Sequence, residues 1–258
     1  MNTARDILIY LSFKYLGDWN KMYQAMQDRE QVFDDEDLIK RISLMKCKAL
    51  TILDERYPEY LKNINKPPFV LFYYGDITLL EDYVKVLAVI GSRDCSAYGE
   101  IMTKTIVEEV AKKFTIISGL ARGVDSFAHE SAINGGGKTI AVLGSGIDYC
   151  YPFENIELYQ KIKNDHLLIS EYPEKCEPKS EHFPIRNRLI AVMSKAVLVP
   201  EAKERSGSII TVRHAIENNR DVMCVPHEAT KKSACNQLIR DGAFLVESAE
   251  DVLYLIDN

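Results

Sequence analysis

Hydrophobic positions fall into two regimes that meet near residue 80. Before it the spacing is helical: Ile7, Leu8, Leu11 and Tyr15 share one helical stripe, and a second run, "NKMYQAMQD", follows Trp19. "DDEDLIKRISLM" then opens with four acids, which favour a helix N-terminus by capping and by the helix dipole. Prolines 58, 67 and 68 break the pattern, and the segment ends in a short apolar strand from Val70 to Tyr74. The pattern predicts a small helical domain plus a connector over residues 1–80.

From Val84 onward, apolar runs of strand length alternate with helical stretches. The runs are "VKVLAVI", "FTIISG", "KTIAVLGSG", "HLLISEYP", "AVLVPEA", "DVMCVP" and "AFLVES". Helices are predicted over 98–113, after "FTIISG", over 154–164, in "RNRLIAVMSK", over 208–218, around "NQLIRDGA" and at the C-terminus. Runs that are apolar at every position suit strands buried on both faces, and the connections are too long for hairpins. The prediction over residues 81–258 is therefore an α/β domain with a doubly wound, mainly parallel sheet.

Composition adds limits. The chain has 258 residues, 47% of them hydrophobic, enough for one large domain and a small one. "MNTARDILIYLSF" lacks the basic start and cleavage site of a signal peptide, and no apolar run nears the roughly 20 residues of a membrane span. A soluble, cytoplasmic protein without membrane contact is expected. Six cysteines lack any C-x-x-C pair; Cys224, His227 and Cys235 approach metal spacing but want a fourth ligand, so no metal or cofactor is expected. The formal net charge of -6 speaks mildly against nucleic acid, yet residues 175–213 carry eight Lys or Arg against four Asp or Glu.

In a doubly wound sheet the strands' carboxyl ends share one edge, where ligands bind. The segments that follow the strands repeat glycine, serine and arginine: Gly91, Ser92 and Arg93; Ser118, Gly119, Arg122 and Gly123; then "GSGIDYCYP"; and Ser206, Gly207 and Ser208. Such loops expose backbone N–H groups at helix N-termini, a setting that favours phosphate. Tyr149 stands where a dinucleotide fingerprint needs its third glycine, and no P-loop is present. A hydrolase reading of "SGLARGVDSFAH" is weak, because Ser118 is outside any G-x-S-x-G elbow and Asp125 and His129 are spaced as a helical pair. "KSEHFPIRNRLIA" sets Lys179, His182, Phe183, Arg186 and Arg188 close together, cations among aromatics, as suits single-stranded nucleic acid. Phe183 reads equally as a base-stacking ring or a core plug; Arg186 and Arg188, with Asn187 beside them, read as phosphate contacts in preference to salt bridges.

Seven ordered stretches, "GSRDCSAYG", "SGLARGVDSFAH", "TIAVLGSGIDYCYP", "LLISEYP", "FPIRNRLIAVMS", "SGSIITVRHA" and "NQLIRDGA", resemble the DNA-processing protein A family, also called Smf, of bacterial transformation. The resemblance covers roughly residues 84–246, and "LTILDERYPEYLKNINKPPFVLFYYGD" resembles the family's connector. It implies an extended Rossmann-like domain that binds single-stranded DNA, forms a homodimer and helps load the RecA recombinase during natural transformation, without enzymatic activity. It places Arg93, Lys179, Phe183, Arg186 and Arg188 in the DNA pocket. The chain departs from the family at His227 and Ala234, where glycines are usual, and in lacking a G-x-G hairpin in its first 50 residues. It stops at Asn258 without the winged-helix domain of many relatives, so functions resting on that domain are expected to be absent. Two other readings stand beside this one. One is an enzyme acting on a small nucleotide or phosphoribosyl compound with Glu171, Asp125 or Glu201 as acid or base; the other is an interaction scaffold with a vestigial pocket.

Overall fold

The structure is a computed structural model that describes residues 3–257. Three helices open it: α1 (Ala4–Lys14), α2 (Trp19–Gln27) and α3 (Glu36–Ser43). Each begins at an oxygen-bearing cap, Thr3, Asp18 and Asp35, whose side chain accepts from backbone N–H groups of the first turn. Then follow β1 (Lys48–Thr51), α4 (Glu59–Lys62), β2 (Val70–Gly75), β3 (Val86–Val89), α5 (Ala97–Val110), β4 (Thr115–Ser118), α6 (Val124–Asn134) and β5 (Thr139–Leu143). The remainder is α7 (Ile156–Asp165), β6 (Leu167–Ser170), α8 (His182–Val192), β7 (Ala196–Val199), α9 (Gly207–Glu217), β8 (Asp221–Cys224), α10 (Ala234–Arg240), β9 (Phe244–Leu245) and α11 (Ala249–Asp257). Among the described residues no helix is long and apolar enough to cross a membrane.

Among the described residues, all nine strands join one sheet in the order β1-β2-β6-β5-β4-β3-β7-β8-β9. From β6 to β9 every pairing is parallel, as the unbroken apolar runs require; β1 and β2 add antiparallel at the β6 edge. The chain lays β3 to β6 outward in one direction, then returns to place β7 on the other side of β3. The sheet's topological switch point therefore lies between β3 and β7.

The expected boundary at residue 80 falls inside this sheet. Val70, Leu71 and Phe72 are fully buried, and their alternation sends Leu71 to one face and Phe72 to the other. A strand apolar on both faces has to be covered twice, so β2 docks on β6 and brings β1 and the helices with it. Phe13 of α1 meets Phe72 edge-on at 5.6 Å. Helices α5, α6 and α11 cover Leu87, Val89, Ile116 and Leu198 on one face, while α8, α9 and α10 cover Ala88, Ile117, Val142 and Val197 on the other. His227 donates its N–H to Asn236 Oδ1 at 2.9 Å, and Ala234 donates its N–H to Ala202 O at 3.0 Å, so both positions are built into the fold.

Candidate functional site

A cavity of about 360 Å³ opens at the switch point, between the loop that leaves β3 and the loop that leaves β7. Its wall is laced across the two loops. Ser92 N–H donates to Glu201 O at 2.8 Å, Val124 N–H donates to Ser92 O at 3.1 Å, and Ser208 Oγ donates to Gly91 O at 2.7 Å. Gly123 caps α6 just beneath. The N-terminus of α9 faces this space, with Gly207 exposed and Ser206 Oγ without a hydrogen-bond partner among the described residues. Arg93 is exposed at the rim, and so is Lys203, which pairs with Asp94 at 3.3 Å. N–H groups at a helix start beside Arg93 and Lys203 form a surface chemically able to hold an anion.

Arg186 lies under that surface rather than on it. It is 4% exposed, donates from Nη1 to Gly119 O at 2.9 Å and also to Val142 O, and from Nε to Asn187 Oδ1 at 3.1 Å. Its Nη2 has no hydrogen-bond acceptor among the described residues. The guanidinium can lie here because residue 119 is glycine: a Cβ would come within 2.5 Å of Nη2. Burial pulls the group down to about 10, so it stays charged at neutral pH. Burial also raises the Asp125 carboxyl, against which Arg186 and the N–H groups of Ala121 and Gly119 act. Arg186 and Asp125 together hold the turn between β4 and α6.

A narrow cleft adjoins the cavity, bordered by Arg93, Gly119, Arg122, Tyr151, Phe183 and Arg186. Phe183 is half-buried, close-packed against Gly144, where a Cβ would lie 2.7 Å from its ring. The guanidinium carbons of Arg93 and Arg186 stand 5.5 and 5.9 Å from its centroid, and the Tyr151 ring lies 5.5 Å away. The ring is thus both wedge and rim, with cations beside it.

The structure redistributes the other expected residues. Ser118 is fully buried and donates its hydroxyl to Val89 O at 2.6 Å, so it is a sheet contact with no face to a ligand. His129 Nδ1 bonds Thr139 Oγ1 at 2.6 Å, not Asp125, and no Ser–His–Asp relay forms. Helix α8 begins at His182, four residues before the expected Arg186, because Pro184 in a first turn surrenders only an N–H that needs no partner there. Phe183, Arg186, Asn187 and Ile190 share the crevice side, while Ile185 and Arg188 turn to the N-terminal helices. Arg188 is accordingly no phosphate contact of the crevice: its Nη2 binds Glu171 Oε1 at 2.7 Å and Lys66 O at 3.0 Å. Lys179 borders, with Arg188 and Ile185, a separate cavity of about 350 Å³ against Trp19 and the start of α2. Sequence reasoning missed Lys203 and Tyr151; their signal was position alone, each on a loop leaving a strand's carboxyl end.

Comparison with known proteins gives a consistent picture. Residues 48–257 match the family model described as DNA recombination-mediator protein A. The chain is 43% identical over 226 residues to the DNA processing protein DprA of Streptococcus pneumoniae, covering 87% of this chain and 79% of that protein. It is 39% identical over 207 residues to DprA of Bacillus subtilis, covering 79% and 69%. The solved structure of DNA processing protein A from Streptococcus pneumoniae superposes with a TM-score of 0.82 at 37% identity, over 98% of this chain and 93% of that one. That of Helicobacter pylori, which has a single-stranded DNA binding mode, superposes with a TM-score of 0.75 at 29% identity, over 83% and 97%.

Proposed function

The chain belongs to the DNA-processing protein A family, which acts in DNA processing and recombination, and we propose that its crevice binds single-stranded DNA. The observation that carries this reading is Arg93, which borders both the anion-binding cavity and the Phe183 cleft. A phosphate sits at the start of α9 between Arg93 and Lys203, and the base attached to it turns onto the Phe183 ring. Gly91, Ser92, Asn187, Ser206, Gly207 and Ser208 shape the phosphate side; Gly119, Arg122 and Gly123 support the turn beneath the base. Arg186 contributes its field from below. Stacking supplies about 1–3 kcal/mol per base. Local cations give an acidic protein a working polyanion site, as the balance over residues 175–213 anticipates.

Binding rather than catalysis fits the carboxylates. Glu171 is committed to Arg188, Asp125 to the turn before α6, and Glu201 to the N–H and hydroxyl of Ser96 at the start of α5. A small-nucleotide enzyme would draw its acid or base from these three. We further assign to the chain a cytoplasmic role in natural transformation or recombination, in which it hands coated single strands to RecA. A homodimer formed through the exposed Phe244, Leu245 and Tyr254 would double the contacts on one strand. Acceleration of RecA filament nucleation on single strands, read from RecA ATPase, tests the hand-over.

The direct test is fluorescence anisotropy on labelled oligo-dT across a salt series. Wild type should bind with an affinity that falls steeply with salt, and Arg93→Ala should weaken it and reduce the slope by about 0.7, the value for one phosphate on a single strand. Arg188→Ala should leave that slope unchanged. Failure of the wild type to bind any single strand at low salt refutes the reading.

A further inference from the structure

Three large aromatic side chains stand in solvent within five residues of one another, on the loop from β5 to α7. Tyr149, Tyr151 and Phe153 are 40%, 44% and 74% exposed. Rings exposed in series form the kind of apolar surface that marks an interaction site. The loop that shows them is fixed, not loose. Ser145 Oγ donates to Tyr149 O at 2.8 Å, Asn155 Nδ2 donates to Leu120 O at 3.0 Å, and Pro152 between the exposed rings is buried. A rigid base therefore holds the rings outward.

This surface continues the cleft already described. Arg122, Tyr151 and Pro152 border both the Phe183 cleft and an open concavity of about 590 Å³ that also contains Tyr149, Phe153 and Lys163. The charges around the concavity are matched: Arg122 faces Glu154 at 3.9 Å, and Lys163 pairs with Asp148 at 3.1 Å. Nothing here concentrates positive charge as the start of α9 does. Aromatic faces without a net cation suit bases rather than phosphates, and only unpaired bases present a free face.

We infer that Tyr151 and Phe153 form a second, base-stacking stretch of the strand path, occupied by the nucleotides that run on from Phe183. The inference rests on the crevice reading above and adds a direction to it: the strand leaves the switch point past Phe183 toward α7. It also separates two kinds of affinity. The crevice contributes contacts that salt weakens, while the aromatic stretch contributes contacts that depend on bases and on strand length.

The experiment is anisotropy on short and long oligo-dT, with wild type, Phe153→Ala, Tyr151→Ala and Arg93→Ala, each first matched for urea midpoint. A long oligonucleotide whose distal part is abasic serves as the complementary probe, since it keeps the phosphates and removes the bases. Phe153→Ala and Tyr151→Ala should each weaken binding of the long strand by roughly 5- to 100-fold, the range expected for one lost stack. Phe153→Ala, which lies outside the Phe183 cleft, should leave the salt slope and short-strand binding as in wild type, and the abasic tail should reproduce the loss of both variants. Equal binding of the long strand by wild type and both variants overturns the inference while leaving the crevice intact. A loss accompanied by a change of mass in light scattering overturns it too, because the rings then join copies of the chain. If wild type binds no single strand, the crevice reading fails and takes this one with it.

Discussion

Replacing Arg186 with alanine separates a residue that supports the crevice from one that touches its ligand. The guanidinium gives up hydrogen bonds to Gly119 O and Val142 O, each charge-assisted and worth about 1.5–3 kcal/mol. It also leaves Asp125 buried with only two long contacts, from Gly119 N–H at 3.2 Å and Ala121 N–H at 3.4 Å. Together the two bonds cost about 3–6 kcal/mol, and Asp125, which makes no ion pair with Arg186, loses in addition the field of a nearby cation. Against a total of about 5–15 kcal/mol, Arg186→Ala should lower the urea midpoint by a third or more. Circular dichroism during urea unfolding reads the loss directly. The double variant Arg186→Met with Asp125→Asn should regain only the part of the loss that an uncompensated Asp125 carboxylate causes, not the part due to the two carbonyl bonds. A folded Arg186→Ala that loses under about 1 kcal/mol and yet abolishes strand binding would refute the argument, because the guanidinium would then act chiefly on the ligand.

Two further outcomes are expected. Burial pushes the His129 imidazole down to about 3, from an ordinary value of 6.5, so the folded chain keeps it neutral while the unfolded chain takes up a proton. Stability from this group is therefore intact above about pH 6.5 and falls as pH drops toward 3, by about 2 kcal/mol at pH 5; urea midpoints near pH 7.5 and pH 5 should show this, and His129→Gln should flatten it. Removing residues 1–80 strips β1 and β2 from the sheet and bares Leu168 and Ile169 of β6, so the remainder should be insoluble or lose its near-ultraviolet circular dichroism. A soluble fragment with cooperative unfolding would count against that.

Much of this architecture was legible because its signals are local. Continuous apolar runs announce β3 to β8, since a strand covered on both sides must be apolar at every position. Asp18 and Asp35 announce helix starts by their own capping chemistry. Membership of β1 and β2 in the sheet was not legible, because their partner β6 is far along the chain and short runs such as "KALT" carry no period. The loops that gather around the switch point could be named from glycine and serine. The fate of each cation could not. Two apart on a helix, Arg186 and Arg188 point to different sides, but which side meets the crevice and which meets Glu171 is set by packing against elements far along the chain.

The sheet's order also sets a timetable for synthesis. Phe72 pairs with Ser170, and Leu87 with Ala196, each roughly 100 residues later in the chain. At about 5–20 residues per second on the ribosome, the antiparallel β1–β2 pair waits about 5–20 s for its partner to emerge. The strand at the heart of the switch point, β3, waits about as long for β7. During that interval the nascent chain holds two apolar strands with one edge each unpaired. The half of the crevice built on the loop after β3 exists early. The half built on α9 is among the last pieces made, so a partly synthesised chain lacks the surface that would hold a phosphate.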